Sequence, residues 1–148
     1  MVVGEHSKSP AVHDPNERAQ VAMDAITARH LQRAFWLPAT RAAAVAWPIG
    51  LLRAQFGSWH YWWHAHLVDL LVDAAIHRPG GTAYGDRSFD PEVADDANRL
   101  LRGIRVRNLG RWTNNYYDDR AWLGLAIERA DRHLQLDHRR GLRVLTRR

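Results

Sequence analysis

The chain has 148 residues, one domain's worth, of which 46% are hydrophobic and 25% charged. Such a composition is that of a globular protein able to bury about two-thirds of its surface, not of a disordered chain. It contains no cysteine, which excludes disulfide frameworks, iron–sulfur clusters, cysteine zinc sites and thiol catalysis.

The charge is uneven. Lys8 is the only lysine, and the formal net charge is +5. Residues 132–148 hold six arginines and one acid, Asp137, so the whole excess lies in this tail and residues 1–131 sum to zero. A basic tail of this kind binds acidic polymers weakly. The most apolar stretch, residues 42–52, is too short to span a bilayer and contains Pro48. The N-terminus has no apolar core behind a basic start, so no signal peptide is read there. Cytoplasmic residence is the default expectation.

Residues 1–13 read as a flexible arm. Asp14-Pro15 then gives an N-cap followed by proline at the first helical position. The apolar spacing predicts a helix over 15–36, stopped by Pro38. Residues 39–56 are alanine-rich and broken at Pro48 and Gly50, which fits a helical turn and a buried loop. Ser58 is placed to cap a second long helix, 59–77, ended by Arg78-Pro79-Gly80-Gly81. The polar stretch 81–89 reads as a loop. Asp90-Pro91 repeats the cap signature and starts a helix over 91–107, with Asn108 and Gly110 as its end. A fourth helix is predicted over 119–134, and residues 135–148 form the basic tail. Strand signals are nearly absent, so the fold class is all-α with at most one β-hairpin.

Three constellations could carry chemistry. Asp118-Asp119 sit at the mouth of a helix beside Asn115, Tyr116, Tyr117 and Trp122. Glycoside hydrolysis needs two carboxyl groups, and aromatic faces suit sugar rings. Taken alone, an Asp-Asp pair at this position is more often a cap and a first-turn acid. The second constellation is the run from Trp59 to His66. His60 and His64, four apart, share a helix face, but no cysteine or HExxH pattern supports a metal, so no metal is assigned. The tryptophans cover more than one face, which suits core packing or a carbohydrate platform reached through Trp63 and His66. The third is Asp69 and Asp73, one turn apart, which either orient a site residue or pair with an arginine. Asp95-Asp96 read as a solvated helix face.

The segments WHYWWHAHLVDLLVDA and NNYYDDRAWLGLAI together, in this order and spacing, resemble glycoside hydrolase family 76, the α-1,6-mannanases. The resemblance covers residues 58–77 and 114–128. It implies an (α/α)6 toroid, of which about four long helices over 14–134 would be an incomplete, N-terminal part. It also implies a retaining hydrolase or transglycosylase acting on α-1,6-linked mannan. Asp118 would map to the nucleophile and Asp119 to the acid/base. Trp63, His66, Asn115, Tyr116 and Tyr117 would bind substrate, with no cofactor. An open arc of four helices is expected to self-associate through uncovered apolar faces and to have little activity alone. Two rivals stay open: a non-catalytic glycan-binding remnant, and a basic-tailed helical protein binding nucleic acid. The neutral sum over residues 1–131 argues against nucleic acid as the partner.

Overall fold

The computed structural model describes residues 14–57, 60–77, 82–84, 87–112 and 114–134. The expected arm 1–13, the Ser58 cap and the basic tail 135–148 lie outside the described residues. Among the described residues five α-helices dominate: α1 Pro15–His30, α2 Leu51–Phe56, α3 Tyr61–His77, α4 Pro91–Arg107 and α5 Tyr117–Leu134. The fold is all-α, with two short antiparallel pairs added. β1 (Leu31–Gln32) pairs with β2 (Ala42–Ala43), and β3 (Thr82–Tyr84) with β4 (Arg87–Phe89). That is one pair more than the sequence reading allows, and β3–β4 replaces the loop expected at 81–89.

The helix starts follow from local chemistry. The Asp14 carboxylate accepts the Asn16 amide at 3.0 Å. The Asp90 carboxylate accepts those of Glu92 and Val93 at 2.9 and 3.2 Å. Each satisfies amides that a helix leaves unpaired, and each precedes a proline with no amide to satisfy. α4 stops at Asn108, and Gly110 follows at φ +81°, a conformation glycine adopts without steric cost.

α1 ends at His30, six residues before the expected Trp36. The cause is a non-local ladder. The Ala44 amide donates to the His30 carbonyl at 2.9 Å, and Leu31 pairs with Ala43. The chain must then reverse between 33 and 41, and it does so through Phe35, Trp36 and Ala39 at φ +49°, +59° and +56°. For residues with a side chain these left-handed angles carry strain.

α3 is the hub of the core. Its Val68, Leu71, Val72 and Ala75 are fully buried. They meet Ala97, Leu100 and Ile104 of α4 and Leu123, Ala126 and Ala130 of α5 in one cluster. α1 contributes a single buried residue, Met23. The 40–44 segment lies on α4: the Arg41 amide donates to the Arg99 carbonyl at 2.8 Å, and Arg41 Nε to Asp96 Oδ1 at 3.0 Å. Asp96 is therefore an anchor, not part of a solvated face. Asp95, by contrast, is nearly half exposed and pairs along its own helix with Arg99.

Candidate functional site

α3 and α5 pack side by side, so the two motif segments meet in space. Rings form a continuous string from one helix to the other. His60 stacks on Trp63 at 4.8 Å between centroids, Trp63 meets Trp62 edge-on at 5.1 Å, and Trp62 meets His66 at 5.7 Å. His66 then touches Trp122 of α5 at 4.9 Å. Trp62, Trp63 and Trp122 remain 44%, 37% and 47% exposed, so part of each indole stays accessible from solvent.

α5 begins at Tyr117, two residues earlier than expected, which puts Asp118 and Asp119 inside its first turn. The helix dipole favours their negative charge there. The local turn is built by Asn114. Its Oδ1 accepts the Tyr116 amide at 3.1 Å, and its Nδ2 donates to Asp119 Oδ2 at 2.5 Å. Asp119 is thus half-buried and held, while Asp118 is exposed, with no hydrogen bond or ion pair among the described residues. Asp119 also acts on Tyr61. Burial first, and then the Asp119 charge, push the Tyr61 phenol up to about 12, with Arg120 opposing. The neutral Tyr61 hydroxyl donates to the Trp112 carbonyl, which pins the start of α3 to the segment leading into α5.

Tyr116 and Tyr117 are 70% and 83% exposed and project into solvent, and Asn115 is exposed beside them. Two grooves of about 330 and 290 Å³ lie between α1 and α3. The second is lined by Trp62, Trp63 and His66 but by neither aspartate. The structure therefore joins Trp63 and His66 to α5 through Trp122, and leaves Tyr116 and Tyr117 outside both grooves. Asn114, Tyr61 and Trp62 are site neighbours that lie within the motif segments but to which the sequence reading assigns no site role. Asn114 was the accessible one, since an Asn two residues before an amide commonly forms an Asx turn.

His64 has no ligand role. Its Nδ1–H donates to the His60 carbonyl at 2.9 Å and its Nε2 accepts the Ala43 amide at 3.0 Å. Both ring nitrogens are spent on backbone, and burial pulls its pKa down to about 4. No group of three or more His, Asp or Glu residues able to hold a metal occurs among the described residues. Asp69 and Asp73 both face Arg129, which donates to the Asp73 carboxylate and lies 3.5 Å from Asp69 Oδ1. This clamp ties α3 to α5, as a structural pairing would.

No protein-family model, curated protein or solved structure matches this chain. Among the described residues no helix is long and apolar enough to cross a membrane.

Proposed function

We propose that the protein acts on α-1,6-linked mannan as a family-76-like retaining glycoside hydrolase or transglycosylase. In this reading Asp118 and Asp119 are the carboxylate pair, and α1–α5 belong to an (α/α)6 toroid. The observation that carries it is the His66–Trp122 ring contact. It connects the aromatic string of α3 to the helix whose first turn holds both aspartates. A sugar lying on Trp62 and Trp122 has its flat, C–H-rich face against indole, and its hydroxyls reach toward polar groups at the start of α5.

The roles follow the resemblance. Asp118, exposed and without a hydrogen bond or ion pair among the described residues, takes the nucleophile role in this reading. Asp119, whose carboxylate accepts the Asn114 side-chain amide, takes the acid/base role. Further helices of such a toroid would cover Leu70 and Leu125, which are 48% and 64% exposed on α3 and α5.

A second reading rests on one observation: neither aspartate lines either of the two grooves between α1 and α3. A glycan-binding protein needs the aromatic string but no enclosed carboxylates. The two readings separate in one experiment. The chain is incubated with α-1,6-mannan, binding is followed by affinity electrophoresis and cleavage by chromatography of the released oligosaccharides. Slow turnover that disappears in Asp118→Asn and Asp119→Asn, with glycan retention kept, supports the hydrolase. Retention without turnover supports the binding protein. Absence of both overturns the carbohydrate assignment.

A further inference from the structure

A second aromatic patch stands apart from the α3–α5 string. Phe56 of α2 meets Phe35 at 5.6 Å and Trp36 at 6.0 Å between ring centroids. Trp36 is 48% exposed, Leu52 69% and Phe56 65%. Leu52 and Phe56 are one helical turn apart and share a face. This face is held outward by a polar anchor on the inner side of α2. Gln55, 1% exposed, accepts the Phe35 amide at 2.7 Å and donates to the Arg33 carbonyl at 3.0 Å. The short helix cannot roll its leucine and phenylalanine inward without breaking both bonds.

The stretch of sequence that carries this patch has charge of one sign, and of its arginines Arg41 is paired with Asp96. Residues 25–68 contain four arginines and no aspartate or glutamate. The zero sum over residues 1–131 therefore conceals a segregated basic segment. Arg33 and Arg53 flank the patch, both exposed and neither ion-paired among the described residues. A second copy docked through this same face would bring two patches of like charge together, which disfavours it. Indole, phenyl and leucine side chains beside unpaired guanidinium groups match a boundary between hydrocarbon and phosphate.

We propose that this face, formed by Trp36, Leu52 and Phe56 with Arg33 and Arg53, docks peripherally on an anionic lipid bilayer. The apolar side chains enter the headgroup–acyl boundary, and the guanidinium groups pair with lipid phosphates. The proposal is independent of the glycan reading, since it uses none of the same residues.

The test is co-sedimentation of the full chain with vesicles of phosphatidylglycerol and phosphatidylcholine, against vesicles of phosphatidylcholine alone. Circular dichroism checks that each variant stays folded. The expected result is binding to the anionic vesicles only. Replacing Arg33 and Arg53 by Gln should weaken it about 30-fold, from the usual contribution of an arginine near an anionic surface. Trp36→Ala with Phe56→Ala should weaken it about tenfold or more. The basic tail is controlled by replacing Arg139, Arg140, Arg143, Arg147 and Arg148 with Gln, which should leave the dependence on the α2 face in place. Brominated lipids should quench the wild-type tryptophan emission more than that of Trp36→Phe. Failure to bind anionic vesicles, binding unchanged by the face variants, or binding abolished by the tail variant alone would each overturn the proposal.

Discussion

Gly103 sets two physical effects against each other. It lies in the middle of α4, where exchanging glycine for alanine ordinarily stabilises a helix by about 1 kcal/mol. Here the 40–44 segment runs directly over it. A Cβ built on Gly103 would lie 1.6 Å from the Arg41 carbonyl oxygen and 2.7 Å from its carbonyl carbon. Ordinary carbon–oxygen contact is about 3.2 Å, so backbone must move by roughly 1.5 Å. That movement pulls on the Arg41–Arg99 bond and on the Arg41–Asp96 pair, and it lifts Ala42 and Ala44, which are 3% and 8% exposed. Overpacking costs about 1–3 kcal/mol and a lost hydrogen bond about 1 kcal/mol. After the propensity gain, Gly103→Ala should destabilise the protein by about 1–3 kcal/mol. For a chain of this size that is a fall in Tm of roughly 4–12 °C. Thermal or urea unfolding followed by circular dichroism reads it directly. A variant as stable as wild type, or more so, would mean that the segment does not sit on Gly103 and that helix propensity alone governs the position.

Two further perturbations test the same region. His64 is neutral in the folded protein, with a pKa near 4 against an ordinary value of 6.5. Between these values the unfolded chain takes up a proton that the folded chain refuses. Stability should therefore be full above pH 6.5, fall by about 3 kcal/mol on acidification toward pH 4, and level off below. Melting curves of wild type and His64→Asn across that window should show this component of the slope in wild type only, whatever the variant's absolute stability. Gln55→Ala should cost about 2–3 kcal/mol by leaving the Phe35 amide and the Arg33 carbonyl without partners. A loss under 0.5 kcal/mol in urea titration would show that α2 is held by something else.

What could be read from the sequence was what neighbouring residues decide. Asp14-Pro15 and Asp90-Pro91 announce helix starts because cap and proline act within three residues. α4 came out with its predicted limits for that reason. The end of α1 could not be read, because it depends on His30 meeting Ala44 across a loop, and Pro38 was a plausible but mistaken stop. The β3–β4 pair lacks the alternation that marks a half-buried strand, so 81–89 reads as loop. At the site, the aspartate pair and the tryptophan run are visible as local motifs. Their junction is not, since His66 reaches Trp122 only after α3 and α5 have packed. His64 shows the same limit from the other side: its spacing from His60 suggests ligation, and only the Ala43 backbone reveals that its ring is already engaged.

The standoff between α1 and α3 has a dynamic consequence. The central helices α3, α4 and α5 share one close-packed cluster, whereas α1 inserts only Met23 fully and is separated from α3 by two grooves. Ile26 packs at the edge of the cluster, and the short ladder through His30, Leu31 and Gln32 adds to the hold. Few apolar contacts must be given up to free it, so its opening costs less than global unfolding. The molecule then behaves as two cooperative units of unequal strength. The three-helix body sets the global free energy, and α1 exchanges its amides through a cheaper, local excursion that leaves the α3–α5 aromatic string intact.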